Sequence, residues 1–127
     1  MASSPRTVAV VEDDPSMRRS IERLLNAYGY MTEGYDSAEG FLAGNSAGTS
    51  GCLVLDIHLG GMSGIQLRRR LRDFNFSLPV VFITAVDDEA LEAEAREVGC
   101  VAYLHKPFAA KLLLSAVEEA LARRWDG

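Results

Sequence analysis

Five short apolar or β-branched runs constrain this chain most: Thr7–Val11, Met31–Tyr35, Cys52–Leu55, Val80–Thr84 and Val101–Leu104. Continuous apolar runs without alternation suit strands buried on both faces, as in a parallel sheet. Between the runs lie segments with helical periodicity. Regular alternation of strand and helix implies right-handed crossovers, with helices covering both faces of one sheet.

The helices carry their own start and stop signals. Asp14-Pro15 reads as an N-cap followed by proline in the first turn, where its missing N–H costs nothing. Met17, Ile21, Leu24, Leu25 and Tyr28 then share one face, and Gly29 stops the helix. Ser37 caps a short helix that turns Phe41 and Leu42 inward. Ser63 caps the next, with Leu67, Leu71 and Phe74 inward. Asp87 or Asp88 caps a fourth, with Leu91, Ala95 and Val98 inward and Gly99 as its stop. Leu113, Val117 and Leu121 line the last, which ends near Arg124. Asn45–Gly51 is a loop of small residues.

At 127 residues, 48% hydrophobic and 24% charged, the chain suits one ordinary domain with a sizeable core. Its net charge of -5 argues against nucleic-acid binding by this domain itself. No apolar stretch approaches the ~20 residues that span a bilayer. Met1–Arg6 lacks the apolar core of a signal peptide, so a cytoplasmic location is expected. Cys52 and Cys100 have no metal-type spacing and read as partly buried, reduced residues.

In open parallel α/β sheets, ligands bind beyond the carboxyl ends of the strands. Glu12, Asp13, Asp56, Thr84 and Lys106 each lie at or just past such an end. A doubly wound sheet would bring them to one edge. Three carboxylates held together raise one another's pKa and cost stability. Mg²⁺ takes oxygen ligands, keeps several waters and relieves that repulsion. Three carboxylates set against Mg²⁺ and Lys106 come to zero formal charge. That balance suits the receipt of a phosphoryl group, with the Thr84 hydroxyl available to one of its oxygens. A carboxylate can itself be the acceptor, forming an aspartyl phosphate.

Four motifs occur in order at these strand ends. They are Val10-Val11-Glu12-Asp13-Asp14, Asp56 with Met62-Ser63-Gly64, Thr84-Ala85, and Tyr103-Leu104-His105-Lys106-Pro107-Phe108. Together they make the chain resemble a receiver domain of a bacterial two-component response regulator, from Thr7 to Leu121. The resemblance implies a three-layer, flavodoxin-like α/β fold, doubly wound about a five-stranded parallel sheet of order 2-1-3-4-5. It sets a receiver at 7–124 between short tails at 1–6 and 125–127. It implies Asp56 as the phosphoacceptor. Mg²⁺ would be held by Asp13, Asp56 and the backbone carbonyl of His58, with Glu12 acting through a water. Lys106 would contact the phosphoryl group, ahead of a cis Lys106-Pro107 bond. Thr84 and Tyr103 would form a switch pair, with Thr84 moving toward the phosphoryl oxygen and Tyr103 turning inward behind it. The implied donor is a sensor histidine kinase. The implied readout is the Asp87–Arg124 face, engaging a second copy or an output domain, with transcription regulation as the candidate output. The role is that of a signalling phosphoacceptor and not of an enzyme, with no direct contact to nucleic acid or membrane.

Two positions depart from the family pattern. The family usually has proline four residues after the phosphoacceptor, whereas this chain has Gly60 followed by Gly61, which loosens the loop. Positions two after the acceptor and two after the switch Thr, here His58 and Val86, influence how water reaches the phosphoryl group. A bulky and an apolar residue there are expected to slow autodephosphorylation.

Two other classes compete. An aspartate-nucleophile phosphatase or phosphotransferase of similar fold usually places a second acid two residues after its nucleophile, where this chain has His58. A phosphorylation-independent interaction module would keep the fold, but here the acceptor, metal and Lys positions are all filled. Among the remaining residues, Asp14 reads as a cap and His105 as a strand-end surface residue. The acidic run from Asp87 to Glu97 reads as a solvated face, or else as a docking surface for Lys111 or Arg123-Arg124. Arg68, Arg69, Arg70 and Arg72 read as solvated.

Overall fold

A computed structural model describes residues 7–44 and 48–123. The expected tails at 1–6 and 125–127, Arg124, and positions 45–47 of the small-residue loop lie outside the described residues. In chain order the elements are β1 (Thr7–Val11), α1 (Pro15–Ala27), β2 (Met31–Tyr35), α2 (Ala38–Ala43) and β3 (Cys52–Asp56). They continue with α3 (Gly64–Asp73), β4 (Val80–Thr84), α4 (Glu89–Val98), β5 (Ala102–His105) and α5 (Ala110–Arg123). The five strands form one sheet in the order β2-β1-β3-β4-β5, and every pairing is parallel.

Side chains alternate between the two faces of a strand, and here both faces are apolar in the central strands. Ala9, Val11, Leu53, Leu55 and Phe82 face Phe41 of α2, Leu67 and Leu71 of α3, and Ala95 and Val98 of α4. Val8, Val10, Cys52, Val54, Val81 and Ile83 face Ile21 and Leu25 of α1 and Leu113 and Val117 of α5. Each fully buried Leu, Ile or Phe contributes about 1.5–3 kcal/mol. Cys52 is completely buried rather than partly so, and burial pushes its thiol up to about 12, which leaves it chemically inert at neutral pH. Both cysteines are free.

Burial on both faces holds for β3 and β4 and for β1 beyond Thr7. It does not hold for β2, an edge strand whose Met31 is 69% exposed. The other edge strand, β5, is only partly covered. Tyr28 and Phe74, expected inward, are 62% and 58% exposed. Each is the C-cap of its helix, where the backbone has already left helical geometry. The helical period therefore no longer says which way the side chain points.

The register aligns the carboxyl ends of the strands: Val11 pairs with Leu55, Asp56 with Ile83, and Thr84 with His105. α3 then starts directly against β3. A Cβ on Gly64 would lie 2.4 Å from the Asp56 carbonyl oxygen, so only glycine allows that approach. Among the described residues no helix is long and apolar enough to cross a membrane.

Candidate functional site

Glu12 is the first residue past β1, and its N–H donates to the Tyr35 carbonyl at 3.0 Å. Its side chain is completely buried. Lys106 Nζ donates to Glu12 Oε1 at 2.6 Å, and the Asp14 N–H donates to Oε2 at 3.1 Å. Burial pushes the Glu12 carboxyl up, opposed by Lys106 and the Asp14 amide and reinforced by Asp56. Asp13 is exposed beside it. Partial burial and then the Glu12 carboxylate raise its pKa as well. Asp14 turns away and caps α1, accepting from the Ser16 N–H at 3.0 Å.

Asp56 ends β3 and is 4% exposed. The His58 N–H donates to its Oδ1 at 3.0 Å, and Lys106 Nζ donates to its Oδ2 at 3.2 Å. Lys106 follows β5, where its N–H donates to the Thr84 carbonyl at 2.7 Å and its bond to Pro107 is cis. Burial pulls the Lys106 ammonium down, but Glu12 and Asp56 outweigh it and hold the pKa above the usual lysine value. Thr84 is buried, and its hydroxyl accepts from the Val86 N–H at 3.1 Å. The sheet edge thus unites Glu12, Asp13, Asp56 and Lys106, with Thr84 ending the neighbouring strand.

Carboxylate oxygens of Glu12, Asp13 and Asp56 lie within 4.8 Å of one another. Within that cluster one ammonium, Lys106, faces two of the three carboxylates. Oxygen donors in excess of positive charge fit a hard divalent cation such as Mg²⁺.

Tyr103 already points inward at 9% exposure, and its hydroxyl is buried without a hydrogen-bond partner among the described residues. Burial, then Glu92, Asp88 and Asp87, raise its pKa. Its ring meets His105 edge-on, centroids 5.7 Å apart, and the Arg96 guanidinium lies 6.0 Å from its centroid. His105 is exposed at the strand end, 3.7 Å from Asp87.

The charged helices are more engaged than expected. Arg69 pairs with Glu94 at 2.9 Å, tying α3 to α4, and Arg96 pairs with Glu92 along α4. Arg123 pairs with Glu119 on its own helix instead of reaching the acidic face. Arg68 is half-buried, not solvated, and its Nε donates to the Gly99 carbonyl at 2.9 Å. Two contacts around the site had no signal in the sequence. Arg18 Nη1 donates to the Glu12 carbonyl at 2.8 Å, and Glu39 Oε2 accepts from the Met62 N–H at 2.8 Å.

The family model for the response regulator receiver domain matches residues 8–118. The transcriptional regulatory protein TdiR of Thauera aromatica is 39% identical over 116 residues, 91% of this chain and 51% of that protein. Nodulation protein W of Bradyrhizobium diazoefficiens is 38% identical over 122 residues, 96% of this chain and 54% of that protein. The structure of the response regulator StyR superposes with a TM-score of 0.88 at 39% identity, covering 94% of this chain and 61% of that one. That of FixJ-N gives 0.83 at 33% identity, covering 91% and 93%. The chain spans about half the length of the curated relatives it matches.

Proposed function

This chain belongs to the response regulator receiver domain family, and from that premise we propose that Asp56 accepts a phosphoryl group from a phosphohistidine on a sensor histidine kinase. The observation that carries the reading is the pair of contacts on Asp56, with the His58 amide on one oxygen and the Lys106 ammonium on the other. They orient the carboxylate beside a fixed positive charge. In the transfer a carboxylate oxygen bonds to phosphorus, the P–N bond breaks, and the imidazole leaves with the electron pair. Lys106, anchored on Glu12, meets the incoming oxygens, and the Thr84 hydroxyl turns toward one of them. Asp13, Asp56, the His58 carbonyl and, at one remove, Glu12 would hold Mg²⁺. When bound, Mg²⁺ supplies positive charge against the carboxylates and the phosphoryl oxygens.

Thr84 and Tyr103 form the switch, biasing a pre-existing equilibrium between two surfaces. The readout face runs from Asp87 through α4, β5 and α5 toward Arg124. It engages a second copy or an output domain, and the names of the relatives favour transcription regulation. The receiver is assigned to 7–124 and works in the cytoplasm. The role is self-directed phosphoryl acceptance and release. A phosphatase or phosphotransferase is not favoured, because position 58 supplies an exposed histidine and no second acid.

The test is incubation with acetyl phosphate, with and without Mg²⁺, followed by intact-mass measurement. A single phosphoryl gain that requires Mg²⁺ and vanishes in Asp56→Asn supports the assignment. No gain in the wild type would instead favour an interaction module that works without phosphorylation.

A further inference from the structure

We propose that Glu39 is a positioning residue for the phosphoacceptor loop: from α2 it clamps Met62 and so orders the His58–Met62 segment. The inference rests on the proposed roles of Asp56 and the His58 carbonyl. The segment is well anchored at its ends. His58 donates to Asp56, Ser63 and Gln66 form a reciprocal capping box at the start of α3, and the Gly64 N–H donates to the Ile57 carbonyl at 2.9 Å. Its middle is loose. Gly60 has open space where a Cβ would stand, and Gly61 sits at φ +81. Across that middle, among the described residues, the Met62 N–H donates to Glu39 Oε2 at 2.8 Å.

The fit is close. A Cβ on Gly61 would lie 2.7 Å from Glu39 Oε2, so a side chain there would push the carboxylate aside, and the φ of +81 favours glycine independently. The platform is firm, because Ala38 and Phe41 of α2 are completely buried and Ser37 caps the helix by accepting from the Gly40 N–H at 2.9 Å. An exposed glutamate in a first helical turn is favourable without any partner. The difference here is that its oxygen is spent on a backbone amide 23 residues away. That amide also holds the Glu39 carboxyl below its ordinary pKa. The clamp supplies by hydrogen bond the order that a proline at position 60 would supply by covalent restraint.

The test uses the whole chain and three variants: Glu39→Ala, Glu39→Gln and Glu39→Ala with Gly60→Pro. Amide exchange at positions 59–62 is read on metal-free protein, Mg²⁺ affinity by calorimetry, and melting temperature as a control. Glu39→Ala should speed exchange at Met62 and weaken Mg²⁺ binding about three- to tenfold, the loss of one hydrogen bond, with little change in melting. Glu39→Gln keeps an acceptor oxygen and should stay close to wild type. Gly60→Pro should restore the affinity without restoring protection of Met62. Wild-type exchange and affinity in Glu39→Ala, or a loss that Gly60→Pro leaves unrepaired, would overturn the proposal. A wild type that takes no phosphoryl group fails the Asp56 assignment instead, and exchange on metal-free protein still decides the clamp.

Discussion

Lys106 Nζ lies 2.6 Å from Glu12 Oε1 and 3.2 Å from Asp56 Oδ2. The ammonium is anchored on a completely buried glutamate and reaches from there to the acceptor. On the proposed reading, Glu12 would therefore do more than supply negative charge for a metal. It would hold the cation in place before a phosphoryl group arrives, leaving little reorganisation for the transfer itself.

Removing Lys106 should be costly for stability as well as for chemistry. Lys106→Ala leaves Glu12 and Asp56 buried without their cation, a loss of about 3 kcal/mol in metal-free protein. Glu12→Gln with Lys106→Met should recover part of that, because Glu12 is then no longer a stranded charge, while Asp56 still lacks its cation. Urea denaturation of the two variants checks this. A Lys106→Ala midpoint equal to wild type would show that the anchor carries no weight.

Asp13 gives a dependence on pH. Its folded pKa is raised above 3.8, by partial burial and then by Glu12, so the folded protein holds that proton more tightly than the unfolded chain does. Stability from this group is full below 3.8 and is lost as pH rises through the raised value. Because Asp13 is largely exposed, screening keeps the effect small. Asp13→Asn should gain about 0.5 kcal/mol at neutral pH without metal, and the gain should fade in acid. Mg²⁺ should then stabilise the wild type more than the variant. Thermal melts across pH, with and without Mg²⁺, test both signs.

Among the described residues the buried Tyr103 hydroxyl has no hydrogen-bond partner. Tyr103→Phe keeps the ring in place and removes an unsatisfied group, so stability should hold or rise by about 1 kcal/mol. A loss of stability on denaturation would mean that the hydroxyl has a partner in solution. If Tyr103 also belongs to the switch, the variant should change association or output more than phosphoryl uptake.

His58 is exposed, while Val86 is 40% exposed and donates its N–H to the Thr84 hydroxyl. The resemblance to the family implies that both positions influence how water reaches Asp56. The double change His58→Asn, Val86→Ala should shorten the phosphoryl half-life by about tenfold, or ~1.4 kcal/mol of barrier. An unchanged half-life, followed by loss of the phosphoryl mass, would remove both residues from control of hydrolysis.

Much of this was legible in the sequence because it was local or topological. Asp14-Pro15, Ser37, Ser63 and Asp88 each cap a helix by bonding an amide two or three residues ahead. The convergence of Glu12, Asp56 and Lys106 followed from parallel strands ending at one edge. The Thr32-Glu33-Gly34 middle of β2 does mark an exposed edge strand, unlike the apolar runs of β3 and β4 with which it was grouped. Two things were not legible. Tyr28 and Phe74 keep the spacing of a buried face but lie where the helix unwinds. Glu39 and Arg68 act on backbone groups 23 and 31 residues away, and no local pattern marks such contacts.

Asp56, and neither Asp13 nor Glu12, is the residue proposed to carry the phosphoryl group. Borohydride reduction after phosphorylation converts an aspartyl phosphate into homoserine, which peptide sequencing by mass locates. Homoserine at position 56, dependent on Mg²⁺ and absent without phosphodonor, is the expected result. Reduction at position 13, or phosphorylated protein with aspartate intact at position 56, would contradict it.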